Sequence, residues 1–279
     1  MTETESGTNQ IVVAQDGSPT ALAAAAIAIQ IAQNQDLSVH GLYVVDELLA
    51  LEPYADYRRE LESEGAPASR AELLTWFEEQ GDAALQRLEV RCQAVGVPVV
   101  TELVAGGVPE MVLRASERAR LLALGRRGHG HEGDPQHLGQ SFRAIAHHAH
   151  VPLIVGGGEE RTVRRLLLAY DGGKHAQRAL AWASLLQRTL PADVMVVAVQ
   201  ENEIHTTNEW LAEARSQLAG CRCLHRLGQP DSEIVAVAEE NQADLIVMGR
   251  YRHTALLEGL LGSTVDRVLR NTQLPVLMA

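Results

Sequence analysis

Short apolar runs alternate with longer stretches of mixed polarity along the whole chain. Ile11-Val-Val-Ala14 runs into Asp16-Gly17, and Leu166-Leu-Leu-Ala169 runs into Asp171-Gly172. Runs of this kind predict strands near 10–15, 37–44, 98–104, 120–124 and 152–155 in the first half. The second half repeats them near 164–169, 193–199, 221–226, 244–248 and 275–278. Helical spacing fills the intervals. The clearest case is Leu73, Leu74, Phe77, Ala84, Leu85 and Leu88, which predict a long helix from Arg70 to Cys92. A short helix is expected from Asn208 to Leu218. Ser18-Pro19 is a credible helix start, with Ser as N-cap and Pro in the first turn. Short continuous apolar strands separated by helices imply parallel sheet covered on both faces.

The two halves share landmarks in one order. Asp16 answers Asp171 at an offset of 155, and Gly107-x-Pro109 answers Gly228-x-Pro230 at 121. Gly125 answers Gly249 at 124, and Gly139 and Pro152 answer Gly262 and Pro275 at 123. Two homologous α/β domains follow, residues 1–156 and 157–279. They meet near Gly156-Gly-Gly-Glu-Glu-Arg161, which by composition is a flexible linker. The offset falls by 155 − 121 = 34, so the first copy carries about 34 extra residues. They form an acidic insertion at about 46–80, expected as a mobile loop ahead of the long helix, with Glu52, Glu60, Glu62, Glu64, Glu72, Glu78 and Glu79.

Charge narrows the function classes. Lys plus Arg is 24 and Asp plus Glu is 36, a formal net charge of −12 over 279 residues. Binding to nucleic acid or to an anionic membrane needs a basic surface, so neither partner is expected. The polar, acidic N-terminus is not a signal peptide, and the most apolar stretch, Ala21–Ile29, is half a membrane span. Three cysteines, Cys92, Cys221 and Cys223, make no disulfide framework. The expectation is a cytoplasmic protein.

In an open doubly wound sheet, ligands bind beyond the carboxyl ends of the strands, where strand order reverses. Two kinds of segment flank that crevice here. One is the turn after the first strand of each copy, with Asp16 and Asp171. The other is the loop after the fourth strand, running from Gly125 to Gly139 and from Gly249 to Gly262. Glycine lets a backbone approach a phosphate, and a helix N-terminus supplies free N–H groups. Ser263 and Thr264 add hydroxyls in the second copy, where the first has Gln140 and Ser141. Arg126, Arg127, His129, Arg250, Arg252 and His253 put positive charge into these loops, which favours an anion.

Several elements together resemble the universal stress protein family in its tandem form. They are Ala-x-Asp-Gly after strand one, Gly-x-Pro before the third helix, Gly-x-x-Gly before a later Gly-Ser, and a closing Pro-Val-Leu strand. The resemblance covers almost the whole chain outside the insertion. It implies two adenine nucleotide alpha hydrolase-like domains, each with five parallel strands. They would pair through their last strands as an intramolecular pseudo-dimer, with a homodimer of that unit left open. Some members bind ATP or another adenine nucleotide. Carried onto this sequence, the resemblance implies contacts from Ala14, Asp16, Val44, Gly125, Arg127, Gly128, Gly139, Gln140 and Ser141. In the second copy it implies Ala169, Asp171, Ala198, Met248, Gly249, Arg252, Gly262, Ser263 and Thr264. Val44 matches the position whose backbone meets adenine, and Ala198 is taken as its counterpart. Both copies depart from the family pattern: Arg252 stands at the second glycine, and Gln140 stands where Ser or Thr belongs. ATP or AMP is the expected ligand, with Mg2+ able to bridge phosphates. The function implied is a stress-response regulator that binds an adenine nucleotide in at least one domain. The alternative is a nucleotide-free scaffold that docks a protein partner through the acidic insertion, with Trp76 and Phe77 as anchors.

Other patterns carry less. His147 and His150 are one helical turn apart and could share a metal, but they read as surface residues at a helix end. Cys221 and Cys223 point to one face of a strand, a spacing that suits a soft metal or oxidation. No second cysteine pair accompanies them, and they read as structural. No Walker A sequence, Gly-x-Ser-x-Gly elbow or His-Glu-x-x-His helix is present. Catalysis has no support beyond slow hydrolysis of a bound nucleotide.

Overall fold

β1 (Gln10–Ala14) pairs in parallel with β2 (Ser38–Asp46) on one side and β4 (Leu121–Leu124) on the other. In the computed structural model, which describes residues 9–46, 70–128, 136–200, 207–250 and 263–279, ten strands form one sheet. β3 (Val99–Gly106) lies outside β2, and β5 (Leu153–Val155) lies outside β4. The second half repeats this with β6 (Arg165–Ala169), β7 (Asp193–Gln200), β8 (Arg222–Leu227), β9 (Leu245–Met248) and β10 (Val276–Met278). The sheet order is β3-β2-β1-β4-β5-β10-β9-β6-β7-β8. Every pair is parallel except β5 with β10, where Ile154 faces Leu277 across an antiparallel junction. The halves therefore join through their last strands, as the resemblance implies. All ten strands fall where the apolar runs predict them.

Helices cover both faces. One layer holds α1 (Pro19–Gln35), α2 (Arg70–Ala94), α5 (Lys174–Thr189) and α6 (Thr207–Gln217). The other holds α3 (Val108–Ser116), α4 (Gln140–His148), α7 (Pro230–Glu240) and α8 (Ser263–Asn271). Ser18 caps α1 as expected: its Oγ accepts from Ala21 N–H at 3.2 Å, and Pro19 opens the helix. Both main cores run across the junction; in one of them Ile11 and Ala123 of the first half join Leu166 and Leu245 of the second. Gln30 of α1 adds a polar clamp. Its amide donates to Val163 O at 3.2 Å and accepts from Val163 N–H at 2.9 Å.

Two expectations change here. Gly156 and Gly157 are buried parts of the junction, not a flexible linker. A Cβ on Gly156 would lie 1.7 Å from Thr20 O, and one on Gly157 would lie 2.3 Å from Gln273 O. The glycines are there because backbones touch. Phe77 is buried against Tyr43, Val45 and Leu73, so it anchors α2 to its own sheet and not to a partner. Trp76 packs partly against the same cluster, its ring 5.3 Å from that of Phe77. Residues 47–69, with most of the acidic insertion, lie outside the described residues.

Candidate functional site

A cavity of about 470 Å³ opens at the carboxyl ends of β6, β7 and β9. This is the point in the second half where strand order reverses, between β6 and β9. Its floor is aliphatic, with Ala169, Val197, Val199, Ile234 and Met248. Its rim comes from three helix starts: His175 and Ala176 on α5, Pro230 on α7, and Thr264 and Val265 on α8. Each start carries backbone N–H groups without intrahelical partners and the positive end of a helix dipole. The Gly173 and Gln229 caps make no side-chain hydrogen bond to their helices. An apolar floor under an electropositive rim suits a ligand with a flat apolar part and an anionic part.

Asp171 lines the cavity and shapes its turn. Its Oδ1 accepts from Gly173 N–H at 2.9 Å. Gly172 has a φ of +73°, and a Cβ there would lie 2.4 Å from the Trp210 ring of α6. Tyr170 beside it is buried and donates its hydroxyl to Glu213 at 2.5 Å. Burial first, then the hydrogen bond to Glu213, pushes its phenol well above the usual range, so it stays neutral. Gly249 closes the wall: a Cβ on it would lie 2.6 Å from the His175 carbonyl carbon.

Ala169, Asp171, Met248, Gly249 and Thr264 thus meet at one cavity. Ser263 opens α8. Arg252 and Gly262 lie outside the described residues, as do His129 and His253. Ala198 needs correction. Ala14 pairs with Leu42 and Ala169 with Val197, so the counterpart of Val44 is Val199. A one-residue slip in a strand exchanges its faces. Ala198 packs into the core on the opposite side, whereas Val197 and Val199 line the cavity. Period-two alternation along β7 is the signal that finds them. Tyr170, His175 and Ile234 left no such signal, since their roles depend on how separate elements meet.

In the first half the matching residues also come together, but the loop is taken up differently. Asp16 Oδ1 accepts from Ser18 N–H at 2.8 Å. Thr20 and Ser18 donate their hydroxyls to Arg127 O at 2.8 and 3.3 Å. A Cβ on Gly125 would lie 2.7 Å from Thr20 Oγ1, and one on Gly128 would lie 3.0 Å from Asp16 Oδ2. The loop after β4 is therefore tied onto the first turn of α1. Gly139 precedes α4, which opens with Gln140 and Ser141, and Gly139 N–H donates to Arg126 O at 2.9 Å. Ala14 and Val44 lie at the edge of the core on this side.

Arg126 and Arg250 reach across to carbonyls of the other half. Arg126 is fully buried and donates to four carbonyls: Gly156 at 2.7 Å, Leu269 at 2.7 Å, Thr272 at 2.6 Å and Leu274 at 2.6 Å. Three of these belong to the end of α8 and the turn after it, in the other half. Arg250 reciprocates, donating to Ala149 O at 2.7 Å and Ala146 O at 3.4 Å at the end of α4. A helix C-terminus presents unpaired carbonyls and negative partial charge, which a guanidinium satisfies. Burial pulls Arg126 down to about 10, so it remains a cation at neutral pH. These arginines bolt the halves together.

The sequence profile of the Universal stress protein family matches residues 7–155 and 206–279. The chain belongs to the universal stress protein family. The universal stress protein Slr1230 of Synechocystis is 30% identical over 162 residues, which are 56% of this chain and 56% of that protein. The chain thus spans little more than half the length of that relative. A universal stress protein from Archaeoglobus fulgidus has the same fold, with a TM-score of 0.72 over 98% of both chains at 22% identity. The solved structures that match also include a universal stress protein in complex with cAMP, at 22% identity over 43% of this chain and 98% of that one, with a TM-score of 0.38. Its ligand is a property of that protein.

Proposed function

We propose that this universal stress protein binds an adenine nucleotide, ATP or AMP, in the second-half cavity, and acts as a regulator in the stress response. The observation that carries this reading is the cavity itself, aliphatic below and rimmed by three helix N-termini. The base would lie on Val197 and Val199, and the phosphates would reach the start of α8 at Ser263 and Thr264. Mg2+ would bridge phosphate oxygens. We take residues 1–156 and 157–279 as the two domains. The first-domain site would be the weaker one, because its loop already spends Ser18 and Thr20 on Arg127 O. The scaffold reading rests on an insertion that lies largely outside the described residues, and no observation favours it.

Calorimetric titration of nucleotide-stripped protein with Mg-ATP and with AMP tests this reading. Saturation at one equivalent per chain is expected. Val199→Trp, which fills the floor, and Gly262→Asp, which puts charge at the expected phosphate position, should each abolish binding with the melting temperature of the apoprotein kept. Unchanged affinity in both variants would place the site elsewhere. Absence of binding to the parent up to millimolar ligand would remove the proposal.

A further inference from the structure

Cys221 and Cys223 flank Arg222 at the start of β8, the outermost strand of the second half. Their side chains share one face of the strand, the face towards α6. The two Sγ atoms lie 3.7 Å apart, and both residues are only partly buried. A tetrahedral ion with metal–sulfur bonds of about 2.3 Å holds two thiolates about 3.8 Å apart. A disulfide would instead need the sulfurs to close to about 2.05 Å. The two thiols share a hydrogen bond at this separation, and an ion could bridge them without either sulfur moving. Among the described residues β8 is the edge strand, and the pair lies on it.

The geometry points to Cys221 and Cys223 as a two-thiolate clip for a soft metal ion of the zinc and cadmium class. Among the described residues no three His, Cys, Asp or Glu side chains gather into a ready-made centre. The clip therefore supplies two ligands, and solvent completes the shell. His225 stands two residues further along the same face, and its Nε2 is buried without a hydrogen-bond partner. Turning towards the ion would cost that nitrogen no bond, so His225 is the protein's candidate for a third ligand. Thiolates select soft ions over Mg2+ or Ca2+, which separates this site from the nucleotide cavity.

Cd2+ titration of the fully reduced chain, followed by sulfur-to-cadmium charge-transfer absorption, reads the site directly. One ion per chain is expected, with an absorption that Cys221→Ser and Cys223→Ser each remove or weaken by more than about tenfold. Cys92→Ser should leave it intact, because Cys92 is fully buried in the other half of the core. His225→Ala should weaken it less than either cysteine variant. The inference falls if the reduced parent shows no such band, or if the double variant Cys221→Ser, Cys223→Ser binds Cd2+ with the parent's band and affinity. It also falls if mild oxidant converts the pair to a disulfide, seen as a loss of two hydrogens by mass, while the reduced chain takes up no Cd2+.

Discussion

Cys92 shows how a single side chain inherits its chemistry from its surroundings. It is fully buried at the end of α2 against α1 and the first-half sheet. Burial raises its thiol from 9.0 to about 11, with nearby Arg91 opposing the shift only in part. The native state thus keeps its proton where the unfolded chain has lost it. Stability contributed by this residue is full below pH 9.0 and is lost as pH rises towards about 11. Iodoacetamide at pH 8 should therefore spare Cys92 in the native protein and label it in guanidinium. Labelling at equal rates in both conditions would contradict its burial. Side-chain surroundings also explain what sequence reading missed. The two loop arginines look alike as residue types, yet Arg126 and Arg127 part company within one peptide unit. The Arg126 side chain crosses to α8, while the Arg127 carbonyl takes the hydroxyls of α1.

Among the elements, the apolar runs located the central strands because a buried parallel strand needs little else. The helix start at Ser18 was equally legible, since capping is local chemistry. Side-chain direction was less secure. Ala198 and Val199 differ by one position, and only the pairing of β6 with β7 says which is the partner of Val44. Glycine function was less legible still. Gly156-Gly157-Gly158 has the composition of a flexible hinge, but α1 lies against the first glycine and the turn before β10 lies against the second. Gly156→Ala should force α1 away from the end of β5 and cost at least the ~1–3 kcal/mol of an overpacked core. Chemical denaturation measures it, and a neutral result would mean that this contact is looser than its 1.7 Å geometry demands.

Taken as one molecule, the two halves are packed into a single body. Their sheet is continuous through β5 and β10, their cores are shared, and two buried guanidiniums cross the seam in opposite directions. Arg126→Met keeps the bulk of the side chain but strips four carbonyls of their donor. Each buried carbonyl left without a donor costs ~1–3 kcal/mol, so a loss of several kcal/mol is expected. Hydrogen exchange should quicken first at residues 153–157 and 269–279. If stability and exchange both match the parent, Arg126 is not the bolt described above. The loops that carry these arginines also carry Gly125 and Gly249. The seam and the candidate ligand sites are thus built from adjoining residues.

Periodicity and motifs short in sequence were enough to establish the class of fold, the number of strands, the internal repeat and the family. They also picked out most of the cavity's polar and glycine positions. Three matters emerged only from the folded chain: that Arg126 and Arg250 cross the seam between the halves, which face of β7 meets the cavity, and why positions 156 and 157 are glycine. Those outcomes rest on groups far apart in the chain: a carbonyl at the end of α8 for Arg126, the backbone of α1 for Gly156, the start of α5 for Gly249. No local pattern encodes such a meeting, because the energy that selects it is released only when the two surfaces close on each other.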